Sequence, residues 1–467
     1  MYEKYITSPV PWIKEIPSHW ALIRGKNLYR KMQRPVRKED GVVTCFRDGT
    51  VTLRKNRRTT GFTESLQEIG YQGIKKGDLV IHVMDAFAGS IGVSDSDGKG
   101  TPVYNVCQAI GDSNNFYFAL LLREMARTGY IQSLYRGIRE RSSDFRFEVF
   151  ASQFYPVPPH DEQEQIVRFL DWKVSAINRL INVKRKQIKQ IESLKKTIIH
   201  RVVTKGLHNV RMKDSGIEWI GNIPDNWNVA QVRRCYNVIL GKMLSPQPSS
   251  MADTWEKYVC AKDVHFNGVS LNDLKSMWFS GAEKKQYQLF DGDLLVVEGG
   301  AGAGNSAIVR ELKGQKIYVQ NSIHIIRPKN PAMLNDYLCY WLTDIVGRGY
   351  MNYICSVATI PHFTKDKVMS TMMPIPSVEQ QCEIVLYLDE QCAKVDNEIT
   401  AIKQVCEKLQ DLKARLISDV VTGKIDVRGV EVPEFAPVEE ETGGTEPVDM
   451  EDNDLFGFPN SLPSLSC

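Results

Sequence analysis

An α+β architecture, with two mixed α/β modules separated by two long helices, is predicted by three observations. The chain repeats its signposts, it holds two long stretches free of Gly and Pro until their ends, and those stretches carry apolar residues at a 3-then-4 spacing. The repeat is specific. Trp12, Ile16, Pro17 and Trp20 return 207 positions later as Trp219, Ile223, Pro224 and Trp227, and Gly77, Asp78 and Leu79 return as Gly292, Asp293 and Leu294. Pro156, Pro158, Gln163, Ile166, Val167, Leu170 and Asp171 return at an offset of 218 as Pro374, Pro376, Gln381, Ile384, Val385, Leu388 and Asp389, and this register holds to Thr204 and Thr422. Between these signposts the halves share little, which is the pattern of one scaffold carrying two different recognition surfaces.

The elements follow in chain order. Residues 1–155 form a first module, with a strand over 78–84 (DLVIHVM) between turn residues and a helix over 115–128. Residues 156–206 form a first helical rod. Residues 207–373 form a second module, with strands at 293–298 (DLLVVE) and 317–327 (IYVQNSIHIIR) and a helix at 334–346. Residues 374–428 form a second rod. Residues 429–467 are acidic and aperiodic and read as a disordered tail.

The rods share a seam. Ile166, Leu170, Ile177, Ile181, Ile188, Ile191 and Ile198 recur with a slip only at Lys184 and Lys195, and Ile384, Leu388, Val395, Ile399, Ile402, Leu409 and Leu416 repeat the pattern. A 3.5-residue period sustained over about six heptads is a coiled-coil seam. At ~1.5 Å per residue each rod is roughly 65 Å long, too long to bury its own stripe. The other rod is the obvious partner, the alternative being two helices that each pack on their own module. An antiparallel pairing puts the modules at opposite ends about an approximate two-fold axis, a dumbbell able to meet both strands of one DNA duplex.

Composition narrows the class. With 42% hydrophobic and 25% charged residues the chain is ordinary globular material, and neither an 18-residue apolar run nor a signal-peptide stretch occurs. The expectation is a cytoplasmic protein with no membrane contact. Ten scattered cysteines, without C-x-x-C or Cys/His spacing, argue for reduced thiols and no metal site. The net charge of +3 conceals a partition: the tail has ten acidic and no basic residues, leaving a body of formal charge +13. That excess suits a polyanion, since Lys and Arg gain affinity for phosphates by releasing counterions; an ordinary basic surface is the competing reading.

Candidate DNA contacts are chosen by charge and placement. In the first module they are Arg54, Lys55, Arg57 and Arg58 in TLRKNRRTTGF, and Arg136, Arg139 and Arg141, with Arg146, in LYRGIRERSSDFRF. Arginine forks suit phosphate oxygens and guanine edges alike, and a solvated surface is the bland alternative. In the second module the corresponding stretches offer Lys262, His265, Lys284, Lys285, Thr359, His362 and Lys365, a more polar and less basic set.

Enzymatic readings find little support. Gly299–Gly304 (GGAGAG) follows a strand, but more strand-like sequence follows it, whereas a phosphate-binding loop needs a helix N-terminus behind it. It reads as a turn between strands. The chain has no Asn/Asp-Pro-Pro-aromatic methyltransferase motif, and Gly300 stands where a nuclease built on Asp293 and Glu298 would carry lysine.

From about residue 10 to 428 the chain resembles the specificity subunit of Type I restriction-modification systems. The WIxxIPxxW signpost, the GDL-plus-glycine segment, and the Pro-x-Pro…Gln-x-x-Ile-Val-x-x-Leu-Asp lead-in to each rod, closing in Val-Val-Thr, carry the likeness. The resemblance implies two target recognition domains, two spacer helices, an asymmetric bipartite target on double-stranded DNA, and no catalysis by the chain itself. Its partners would be two adenine methyltransferase (modification) subunits and, through them, restriction/translocase subunits. No cofactor would bind this chain; S-adenosylmethionine, Mg and ATP would sit on the partners. A self-contained DNA-modifying enzyme and a protein-only coiled-coil adaptor remain the rival classes, separable by methyl transfer from the chain alone and by a salt-dependent DNA shift.

Overall fold

A computed structural model describes residues 2–57, 69–134, 144–266, 268–300, 302–354 and 362–441. In chain order the elements that matter are β1 (Ala21–Arg24), β2 (Tyr29–Lys31), β3 (Val43–Cys45), β4 (Val51–Leu53), β5 (Leu79–His82), β6 (Ile91–Val93), β7 (Tyr104–Ala109), α1 (Asn115–Arg127), β8 (Phe154–Val157) and the long helix α2 (His160–Lys205). They continue as β9 (Asn228–Gln231), β10 (Tyr236–Leu240), β11 (Thr254–Val259), β12 (Lys275–Phe279), α3 (Gly281–Tyr287), β13 (Leu294–Val297), β14 (Ser306–Ile308), β15 (Ile323–Pro328), α4 (Asn335–Gly347), β16 (Met372–Ile375) and the long helix α5 (Val378–Val421). Compactness divides the chain into Met1–Arg185 with Lys403–Cys467, and Lys186–Ile402. The repeat predicts boundaries between modules and rods; the compact division instead falls within each long helix.

In the first unit, β2, β7, β5 and β6 form an antiparallel sheet in that order. Helix α1 covers it because Tyr117, Phe118, Leu121, Leu122 and Met125 recur at helical spacing, and all five are fully buried with Leu79, Ile81 and Cys107. The Asn114 side chain accepts from the amides of Phe116 and Tyr117 at 2.9 and 3.2 Å, which fixes the helix start. From the next residue, Asn115 Nδ2 donates to the Gly77 carbonyl at 2.6 Å, tying the helix to the GDL turn. The long helices join this core: Ile166, Phe169 and Leu170 of α2 and Val420 and Val421 of α5 are buried in the same cluster. The Tyr117 hydroxyl stands 3.3 Å from the Pro156 carbonyl and 3.2 Å from that of Val421, so one buried donor serves the lead-in to α2 and the end of α5.

The second unit repeats these choices with other residues. Its antiparallel sheet runs β10, β15, β13, β14, and α4 buries Tyr337, Leu338, Trp341, Leu342 and Ile345 against it. Asn335 Nδ2 donates to the Gly292 carbonyl at 2.7 Å. The Tyr337 hydroxyl lies 3.3 Å from the carbonyls of both Pro374 and Val203. A further sheet, absent from the expectation, pairs β11 with β12 antiparallel and with Tyr318–Val319 parallel. The glycine loop at 299–304 joins antiparallel β13 to β14, with no helix N-terminus behind it.

Of the seam residues, Ile166, Leu170, Ile177 and Ile181, then Ile384, Leu388, Ile399 and Ile402, are buried, while Ile188, Ile191, Ile198, Val395, Leu409 and Leu416 are half-buried. One expectation is overturned over part of its length. Residues 429–441 are not a structureless tail: Val430 and Val432 pack on the first core, and the carbonyls of Val430, Val438 and Glu439 accept hydrogen bonds from Gln165, Asn178 and Asn182. Composition misjudged this segment because many of its anchors are backbone groups, which leave no mark on residue type.

Candidate nucleic-acid interface

The β3–β4 hairpin carries the first group of basic residues. Its tip can pack on β6 only because Gly92 is there: a Cβ would lie 1.9 Å from the Gly49 carbonyl oxygen. Arg54 donates to Thr44 Oγ1 at 3.2 Å, and Lys55 is exposed with no ion pair among the described residues. Arg57 is held more firmly, 2.7 Å from Asp48 and with its guanidinium 4.4 Å from the centre of the Phe46 ring. Burial opposes ionisation of Asp48, but the Thr50 amide and Arg57 together hold its carboxyl below the usual range. Arg146 is exposed and bonded to Asp144 at 2.7 Å. Arg58, Arg136, Arg139 and Arg141 lie outside the described residues, as does Thr359.

Sequence reasoning passed over Arg123, which sits in an apolar run of α1. Its guanidinium rests against Gly49, its Nε is buried without a hydrogen-bond partner among the described residues, and burial, partly offset by Asp48, pulls its pKa below the ordinary value. It opens on a cleft of about 340 Å³ shared with Arg47, Arg127, Lys413, Leu120 and Ile417. Arg127 forks onto Glu124 with both bonds at 2.7 Å, and Ser418 donates to the same carboxylate at 2.7 Å. The only signal in the sequence was an arginine where the helix period calls for a partly buried position.

The second module presents its cations differently. Ser280 and Glu283 form a capping box on α3, and Lys242 reaches Glu283 at 2.6 Å. On that helix Lys284 donates to Thr254 Oγ1 at 3.0 Å, and Lys285 is exposed without a partner among the described residues. The neighbouring hairpin pairs Trp255 with Trp278, ring centres 5.3 Å apart, and leaves Trp255 half exposed. Lys262 is exposed, 3.6 Å from buried Asp263, and His265 is exposed nearby. His362 and Lys365 form a separate group. The His362 ring lies over Gly299, where a Cβ would approach Nδ1 to 2.7 Å, so the glycine loop serves to seat it. The adjoining Phe363 carbonyl accepts from His324 Nε2 at 2.9 Å. Thus Lys284 and Lys285 share one helix and His362 and Lys365 share another segment, as separate stretches of the sequence.

Among the described residues no cluster of His, Cys, Asp and Glu could hold a metal ion, and no helix is long and apolar enough to cross a membrane. Residues 265–409 match the family model of the Type I restriction modification DNA specificity domain. A Methanocaldococcus jannaschii protein provisionally named the MjaX type I restriction enzyme specificity subunit is 24% identical over 279 residues, covering 58% of this chain and 59% of that protein. The MjaVIII specificity subunit of the same organism is 22% identical, covering 69% of this chain and 72% of its own length. A solved chain from work on complex assembly and conformational transition of the type I R-M system shares the fold, with a TM-score of 0.66 at 16% identity over 88% of this chain and 99% of that one. On these likenesses the chain is similar to the specificity subunits of type I restriction-modification systems.

Proposed function

We propose that the chain is the non-catalytic DNA-reading subunit of its complex, in which each module reads one half of an asymmetric bipartite target. The observation that carries this reading is the pairing of a common frame with unlike surfaces. Asn115 and Asn335, and Tyr117 and Tyr337, make matching bonds, whereas Arg57, Lys55 and Arg123 have no counterpart in the set of Trp255, Lys285, His362 and Lys365. Phosphate contacts position such a protein and base contacts specify its target. The body's formal charge of +13 favours a duplex over a protein-only partner.

In the same proposal the two long helices pair as one antiparallel coiled coil related by a pseudo-two-fold axis, and two methyltransferase subunits dock on it and bring in the restriction/translocase subunits. S-adenosylmethionine, Mg and ATP belong to those partners. Two identical partners require equivalent footholds, and Leu194 and Leu412, 218 positions apart, are both exposed large apolar side chains, at 54% and 51%. The test is to supply the methyltransferase subunits, sequence the modified adenines, and repeat with Lys285→Ala and Lys365→Ala. Each variant should weaken binding by about 1–3 kcal/mol for each base the side chain reads, and relax preference in one half-site only. Unaltered targets and an unaltered salt slope for both variants would remove the second-module surface from the reading.

A further inference from the structure

One face of α2 bears polar side chains that the proposed DNA reading leaves unused. Ser175, Asn178, Asn182 and Arg185 follow a 3-4-3 spacing and so line one stripe of the helix, and the first three are buried. Buried amides require partners, and here they find them in the main chain of an extended segment. Val438 donates its amide to Ser175 Oγ at 3.2 Å and accepts from Asn178 Nδ2 at 2.9 Å. Asn182 donates to the Glu439 carbonyl and accepts from the Glu441 amide, both at 2.9 Å. The Glu440 side chain is read by charge: it meets Arg185 at 2.6 Å and Gln410 at 3.0 Å, and also binds Lys413. Since Arg185 is on α2 and Lys413 on α5, that carboxylate bridges the two helices of this unit.

We propose that this stripe is a binding groove for an extended, acid-bearing peptide, filled in this chain by its own residues 433–441. The chemistry supports a groove rather than an incidental contact. Main-chain groups are matched donor to acceptor in the manner of an added β-strand, and the carboxylate supplies the register. The groove is confined to one repeat. At an offset of 218 the second rod carries Ala393, Asp396, Thr400 and Lys403, and Thr400 turns back to its own helix at the Asp396 carbonyl, 2.8 Å away. The asymmetry makes the segment a clasp on one half of the protein.

The experiment uses the full chain. Val438→Pro with Glu440→Lys removes a donor and reverses the key charge, and should vacate the groove. A fluorescein-labelled peptide of residues 429–441 should then bind this variant and not the unaltered chain, whose groove is filled. Adding Asn178→Ala and Asn182→Ala to the vacated chain should weaken peptide binding at least about tenfold, as should Glu440→Gln in the peptide. Amide exchange at Val438 and Glu441 in the unaltered chain should be slower than in the free peptide. A peptide that fails to bind the vacated chain while that chain melts as the unaltered one does, or that binds equally well without the two asparagines, would overturn the proposal. Free-peptide exchange rates at both amides would overturn it as well.

Discussion

The two units solve the same structural problems with different side chains, and the substitutions separate what the frame requires from what each half can vary. Trp20 and Trp227 occupy equivalent sockets. Trp20 Nε1 donates to Glu162 at 3.0 Å, a carboxylate that also takes the Tyr2 hydroxyl and lies 2.8 Å from His19. Trp227 Nε1 donates at 3.1 Å to Gln380, the residue 218 positions after Glu162. The indole needs an acceptor; whether it is charged is left free. Burial, reinforced by Glu162, raises the Tyr2 pKa well above its ordinary value, which keeps the phenol a donor. On the sheets, Asn105 donates to the Phe145 carbonyl at 3.0 Å and His324 to that of Phe363 at 2.9 Å. Both anchors are buried, but only one titrates.

The sockets give the sharpest way to break this equivalence. Trp20→Ala and Trp227→Ala should each cost about 3–5 kcal/mol, from the burial removed and the cavity left behind, read by urea denaturation. Similar losses would confirm that the sockets carry the same weight; a difference above about 2 kcal/mol would show that one socket is braced by its surroundings. Next, Glu162→Gln gives the first unit the acceptor of the second. It should cost about 1–2 kcal/mol through the weakened bonds to Tyr2 and His19, and an unchanged stability would mean the charge is idle.

The smallest effect tests the titrating anchor. Burial lowers the His324 pKa, only partly offset by its bond to Phe363. A depressed imidazole contributes stability that is present above its unfolded value, near 6.5, and lost as pH falls through the folded value. Unfolding free energy measured at pH 7.5 and 5.5 should therefore fall more in the parent than in His324→Asn, by at most about 1.4 kcal/mol per pH unit. Equal slopes would assign the acid sensitivity elsewhere.

Much of this frame was legible in the sequence because it rests on spacing. The absence of Gly and Pro foretold the two long helices, and apolar periodicity foretold α1 and α4. What escaped rests on matching across space. Arg57 looked like a free cation until folding brought Asp48 to it. Arg123 was hidden by its apolar neighbours, and nothing in the residue types of Asn178 and Asn182 shows that a main chain will lie over them. Arg58, Arg136, Arg139 and Arg141, outside the described residues, were chosen by charge and placement, which name a surface without naming its geometry.

The division of the long helices has a consequence for synthesis. One unit is a single stretch, Lys186–Ile402, whereas the other joins Met1–Arg185 to residues after Lys403. The Tyr117 hydroxyl needs the Val421 carbonyl, and Glu124 needs Ser418. At roughly 5–20 residues per second, the first module waits on the order of tens of seconds for those partners to leave the ribosome. The later-made unit can close first. During that interval the apolar start of α2 is uncovered, so the early half of the chain depends on residues around Val420, and a ribosome that stalls before Val420 leaves a core without its lid.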